Sequence, residues 1–265
     1  VNRVKICALR SGSSGNAIFV GNGRTRLLID AGVSLRDIEH SLTEIGESAA
    51  ALTAVLLTHE HTDHARSIGA LLRRHHIPLY TSAGTLGALG NQLGRVSDSL
   101  LHTFRSEESF AIGDLGVTAF PTSHDAAESV AFRIGTGQGD VAICTDLGWP
   151  EPRLLQTLSG CRTIFVEANY DPVMLAAGTY PPLLKQRIAS DLGHLSNPDS
   201  AHAIIYFLAR GTEQFILAHL SKENNYPELA LQTVEDHLRA EDALIGRDLD
   251  VAVARRFTTS EPIIW

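Results

Sequence analysis

Thr58-His59-Glu60-His61-Thr62-Asp63-His64 packs three imidazoles and two carboxylates into the six residues from His59 to His64. It follows directly on the apolar run Ala51-Leu52-Thr53-Ala54-Val55-Leu56-Leu57. Imidazole nitrogen and carboxylate oxygen are the donors that divalent zinc, iron and manganese accept. A packed core has no use for so many such groups, because each needs a partner once buried. The stretch therefore predicts a metal site on a loop at the end of a strand. A merely solvated His-rich loop is the simpler alternative, and the residues downstream decide against it.

Outward from this loop, the N-terminal side reads as strands in tight turns. Val4 to Leu9 is apolar and is followed by Ser11-Gly12-Ser13-Ser14-Gly15-Asn16. Strands from Ala17 to Val20 and from Arg26 to Ile29 flank Asn22-Gly23, a favoured hairpin turn. The second ends at Asp30-Ala31-Gly32, and a helix is expected from Leu35 to Ile45. On the C-terminal side, Ile68, Leu71, Leu72 and His75 recur at helical spacing, which predicts a helix beginning near Asp63. Hairpins are expected around Gly113-Asp114 and Gly135-Thr136-Gly137. Beyond Pro150, helices (Pro152 to Leu158, Asp199 to Ala209, Pro227 to Arg239) alternate with strands (Arg162 to Val166, Phe215 to Ala218, Val251 to Ala254). The mixture predicts an α/β (α+β) chain with two sheets face to face and helices outside. No linker, repeat or low-complexity segment divides it, so residues 1–265 are expected to form a single domain.

Three further polar residues stand at the ends of apolar strands: His124, Asp146 and His219. Strand-end loops are where a rigid scaffold presents functional groups. His59, His61 and His124 are expected to hold one ion, and Asp63, His64 and His219 a second. Asp146 would touch both. A pair of divalent ions about 3.5–4 Å apart ionises water near neutral pH and polarises substrate oxygens, which makes a hydrolase.

Asp30, His59-x-His61-x-Asp63-His64, His124, Asp146 and His219, in that order, resemble the metallo-β-lactamase superfamily. The resemblance implies a four-layer αββα sandwich of two similar halves, with Asp30 supporting the ligand loop. Glu167-Ala168-Asn169-Tyr170, Gly193-His194-Leu195-Ser196 and His219-Leu220-Ser221 are similar to the carboxy-terminal pattern of tRNase Z-like phosphodiesterases. By that likeness Glu167 orients His194, which gives a proton to the leaving oxygen, and His219 is a ligand. Asp63, His194 and Glu167 are then the catalytic set. Ser13-Ser14-Gly15-Asn16, Leu28-Ile29-Asp30-Ala31-Gly32, Ser123-His124-Asp125-Ala126, Asp191-Leu192-Gly193-His194-Leu195-Ser196-Asn197 and His219-Leu220-Ser221-Lys222-Glu223-Asn224-Asn225 resemble the YycJ/WalJ family of exonucleases. That family implies removal of nucleotides from DNA 5′ ends, and Asn16 is expected beside the ligands.

Composition bounds these readings. Across 265 residues the chain is 44% hydrophobic, with a mean hydropathy of +0.02, as in ordinary globular proteins. No apolar run approaches the roughly 20 residues that span a bilayer, and no signal-peptide layout is evident, so a cytoplasmic location without membrane contact is expected. Cys7, Cys144 and Cys161 fall in or beside apolar segments and read as core thiols. A net charge of −8 argues against broad coating of DNA, not against gripping one DNA end. Arg10, Arg66, Lys185, Arg187 and Lys222 are the basic residues considered for phosphate contact. The leading function is a two-metal phosphodiesterase loaded with zinc or manganese, iron being a further option. A hydrolase of a small carbonyl compound (lactone, thioester or β-lactam) is the alternative, and a diiron redox protein a third. The sequence sets no preference between monomer and homodimer.

Overall fold

The computed structural model describes residues 3–265. Strands β1 (Lys5–Arg10), β2 (Ala17–Gly21), β3 (Arg26–Ile29), β4 (Ala54–Leu56), β5 (Leu79–Ser82) and β6 (Leu101–Phe104) lie side by side in one sheet. The other contains β7 (Ser109–Ile112), β8 (Leu115–Pro121), β9 (Val130–Gly135), β10 (Asp140–Cys144), β11 (Thr163–Glu167), β12 (Gln214–Ala218) and β13 (Asp250–Val253). β14 (Ile263–Ile264) returns antiparallel to β1, so each sheet is seven-stranded among the described residues. Both sheets begin as antiparallel hairpins and end in parallel strands, β3 to β6 in one and β10 to β13 in the other.

Side-chain alternation explains the layering. Along β1, Ile6 and Ala8 pack between the sheets, whereas Cys7 and Leu9 face the helices. Along β10, Val141 and Ile143 point inward, and Ala142 and Cys144 outward. Strands buried on both faces read as unbroken apolar runs, which is how the sequence presents them. Helices Leu35–Glu44, Ile68–His75 and Ala83–Leu89 cover the first sheet, and Pro152–Leu158, Asn197–Leu208 and Pro227–Ala240 the second. Four layers in the order αββα result, as the sequence leads one to expect. Each buried aliphatic side chain contributes roughly 1.5–3 kcal/mol, so three continuous apolar clusters make a stiff frame for the loops. The three cysteines are free and buried, and burial pushes their thiols up to about 12. Among the described residues no helix is long and apolar enough to cross a membrane.

One helix departs from expectation. Instead of running on from Asp63, it forms a single turn, Thr62–Ala65, and restarts at Ile68–His75. Ser67 explains the break: its N–H donates to Ala31 O at 2.8 Å and its hydroxyl to Val33 O at 2.5 Å. Those bonds to the loop after β3 replace the continuing helical ladder.

Candidate metal centre

Several of the polar residues singled out above stand at the carboxyl ends of the parallel strands, the edge where open α/β sheets bind ligands, while His124 follows the antiparallel β8. Asp30 follows β3, Thr58 and His59 follow β4, Asp146 follows β10, Glu167 ends β11 and His219 follows β12. Asp30, Asp146 and His219 have φ of 63°, 58° and 58°. This left-handed geometry turns the chain sharply off its strand and costs a non-glycine residue on the order of 1–3 kcal/mol, as is common at functional sites.

His59, His61 and His124 converge, with donor atoms within 4.8 Å of one another. His124 Nδ1 donates to Gly193 O at 3.0 Å, which leaves its Nε2 free to face His61 Nδ1 at 3.3 Å. Asp63, His64 and His219 form a second group on the same criterion, with His219 Nε2 3.2 Å from Asp63 Oδ2. Asp146 lies between the groups: Oδ2 is 3.1 Å from His64 Nε2, and Oδ1 is 3.4 Å from His219 Nδ1 and 3.6 Å from His124 Nε2. Asp30 accepts from His64 Nδ1 at 2.7 Å and from the Thr58 N–H at 2.9 Å. It thereby fixes the ring with Nε2 toward the centre. Asn16 Nδ2 approaches that nitrogen at 3.1 Å, while the Asn16 N–H donates to Asp63 O at 2.8 Å.

Glu167 is fully buried and serves two rings. Its Oε1 lies 2.8 Å from His194 Nδ1 and 2.7 Å from His219 Nδ1, and Oε2 accepts from the Leu147 and Leu195 amides. Glu167 thus faces His194, as the sequence reading expects, and His219 as well, a second pairing that reading did not include. No spacing signal could have disclosed this, because β11 and β12 carry the two residues to one point from 52 positions apart.

Electrostatics distinguish the rings. Burial and the neighbouring His64 hold His59 well below the usual imidazole range, and burial also lowers His124. Both stay neutral with a lone pair to offer. Burial opposes charge on His64 as well, but Asp146, Asp30 and Asp63 outweigh it and raise its pKa well above normal. His219 is likewise lifted against burial, to about 10, by Asp146, Asp63 and Glu167. Glu167 resists burial and falls to about 2 through His194 and His219. Without a cation, protons on His64 and His219 balance the carboxylates, and a bound metal would take their place.

Two buried atoms make the fit to a metal specific. His59 Nε2 has no hydrogen-bond partner, an omission that costs on the order of 1–3 kcal/mol, and Asp146 Oδ2 meets His64 Nε2 at 3.1 Å without hydrogen-bond alignment. Both belong to groups of converging donors. Nitrogen and oxygen donors without thiolate suit a divalent ion.

A family model described as the beta-lactamase superfamily domain matches residues 25–220. The chain belongs to the β-lactamase superfamily. It is 39% identical over 249 residues to a Streptococcus pneumoniae protein named exodeoxyribonuclease WalJ, covering 93% of each chain. It is 33% identical over 243 residues to a Bacillus anthracis protein named exodeoxyribonuclease YycJ, covering 92% of each. The metallo-β-lactamase fold protein YhfI from Bacillus subtilis superposes with a TM-score of 0.74 at 16% identity, covering 97% of this chain and 99% of that one. At that identity the likeness concerns the fold alone.

In this superfamily chain the basic residues separate. Arg10 is largely buried, with its guanidinium on Leu9 O at 2.5 Å and Ser41 Oγ at 2.6 Å, so its donors are committed within the fold. Lys185 donates to Ala176 O and Lys222 lies beside Glu223. Arg187 pairs with Asp125, whose Oδ1 is 3.5 Å from His124 Nε2. Asp125 and Arg187 at the mouth of the centre were not paired by the sequence reading. The centre also depends on Gly32. A Cβ there would sit 1.6 Å from Asp63 O, and backbone cannot move aside cheaply. Gly32→Ala is expected to lower the thermal midpoint by roughly 5–10 °C, from a cost of about 3 kcal/mol, and to weaken metal uptake. A melting curve checks it, and an unchanged midpoint would show that the loops have room.

Proposed function

We propose that this chain is a metal-dependent phosphodiesterase that removes nucleotides from the 5′ end of DNA, working as one domain in the cytoplasm with two divalent ions, zinc or manganese. The carrying observation is His194. It is 19% exposed at the mouth of the centre, while its Nδ1 is held by the wholly buried Glu167. That is the arrangement of a proton donor kept in one orientation beside the reacting group. The names of the two bacterial relatives favour the same reading and supply the exonuclease and DNA components of it, while the 5′ polarity rests on the resemblance of the motifs.

His59, His61 and His124 would hold one ion, and Asp63, His64 and His219 the other, with Asp146 between them. When bound, divalent ions supply ionised water near neutral pH and Lewis-acid stabilisation of phosphoryl oxygens. Asp30 holds the His64 ring, and Asn16 ties the Ser11–Asn16 loop to the Asp63 carbonyl. With Nδ1 committed to Glu167, His194 has Nε2 available to give a proton to the departing sugar oxygen. An alkoxide leaving group needs that proton, because its conjugate acid is weak.

The test is digestion of 5′-phosphorylated single-stranded and duplex oligonucleotides with zinc, with manganese and after chelation. Stepwise release of mononucleotides from the 5′ end, abolished by the chelator, is expected. Hydrolysis of a thioester or lactone with every oligonucleotide left intact would give the site to the carbonyl reading.

A further inference from the structure

An open cleft of about 290 Å³ lies between the Ser11–Asn16 loop, the start of the helix Leu35–Glu44 and the segment after β13. Three arginines (Arg10, Arg66 and Arg256) line it against one acid, Asp37, in a chain of formal net charge −8. The Arg10 guanidinium is committed to Ser41, and the Asp37 carboxylate to the Ser34 hydroxyl. Arg66 is exposed, and its guanidinium makes no hydrogen bond or ion pair among the described residues. Arg256 is anchored by Nη2 on Leu220 O at 2.5 Å, and its Nη1 reaches Ser13 Oγ at 3.5 Å. Phe257, 65% exposed, follows it, with the Arg256 guanidinium carbon 5.8 Å from the ring centroid.

Each wall is tied to the centre. Arg66 lies two residues beyond His64, Ser14 two before Asn16, and Arg256 holds the carbonyl of the residue after His219. Resting on the nuclease reading above, we propose that this cleft is the subsite for a backbone phosphate of the DNA strand flanking the bond being cut. Arg66 and Arg256 are its cations, and Phe257 is the face on which the adjacent base stacks. Guanidinium forks match phosphate oxygens geometrically, and an exposed ring accepts any base, as a sequence-tolerant exonuclease requires. A chain of formal net charge −8 thus concentrates its grip on the substrate in one cleft.

The test measures binding by the metal-loaded protein of a fluorescent single-stranded oligonucleotide whose terminal linkages are blocked as phosphorothioates, over a range of salt. Arg66→Gln should raise Kd about tenfold and reduce the slope of log Kd against log salt by about 1, the signature of one lost phosphate contact. Arg66→Lys should keep the slope. Phe257→Ala should raise Kd about tenfold with the slope unchanged, as loss of one stacking contact would. If the parent cuts and binds DNA and both Arg66→Gln and Phe257→Ala bind like it at every salt concentration, the cleft assignment is overturned and the nuclease reading stands. If the parent neither binds nor cuts any oligonucleotide, both fall.

Discussion

Asp146→Asn is expected to cut turnover on the order of 10³-fold and to bring bound metal below two ions per chain. Asp146 is 2% exposed and stands among four imidazoles: His64 at 3.1 Å, His219 at 3.4 Å, and His124 and His194 at 3.6 Å each. Burial alone would raise its carboxyl pKa, but His219 and His64 outweigh burial and hold it well below the ordinary range. The site therefore keeps a full negative charge where both donor groups meet. Asparagine preserves the size, and it is one of the few residues that accept the left-handed backbone Asp146 adopts at φ 58°. The change then removes the charge and turns one acceptor oxygen into an NH2 donor, and the fold should persist. Metals supply several kcal/mol of transition-state stabilisation, which at 1.36 kcal/mol per decade gives the expected thousandfold. Elemental analysis beside the oligonucleotide assay decides the matter. Unchanged metal content with unchanged turnover would remove Asp146 from the centre.

The sequence discloses this centre unevenly, for physical reasons. The His59-to-His64 cluster is legible because its residues are neighbours in the chain and too polar for the core that the preceding run announces. Strands such as β1, β10, β11 and β12 are legible because burial on both faces demands unbroken apolar runs. β5 and β6 are four residues each and mix polar with apolar side chains, and β14 is two residues, so no period can develop. Short helices such as Pro172–Ala177 and Pro182–Ile188 share that limit. The helix expected from Asp63 is broken by tertiary bonds from Ser67 to the loop after β3, which local periodicity cannot report. Likewise the anchoring of His124 on the Gly193 carbonyl and the sharing of Glu167 by His194 and His219 follow from strand order and from turns with positive φ, not from spacing. Asp146 and His219 could be picked out as strand-end polar residues. Their left-handed backbone, which aims them inward, leaves no mark on the sequence.

His194→Ala should lower cleavage of DNA by about 10²–10⁴-fold, the usual contribution of a positioned proton donor, while leaving bound metal unaltered. The partition rests on Glu167. After His194 is removed, Glu167 Oε1 still accepts from His219 Nδ1 at 2.7 Å, and its Oε2 still accepts from the Leu147 and Leu195 amides. His219 therefore keeps its orientation toward Asp63, and the donor groups on either side of Asp146 keep their geometry. Because His194 is partly exposed, truncating it opens a solvated gap instead of a core cavity. A p-nitrophenyl phosphodiester, whose leaving phenolate needs no proton, should lose far less than DNA does. The ratio of the two losses reads proton donation directly. His194 also lies within the converging set Asp146, Glu167, His194 and His219, and a role as metal ligand predicts a different pattern. Equal loss on both substrates together with loss of metal would assign His194 to the ligands. Undiminished DNA cleavage would end its role in the reaction and, with it, the observation that favours phosphodiester over carbonyl substrates.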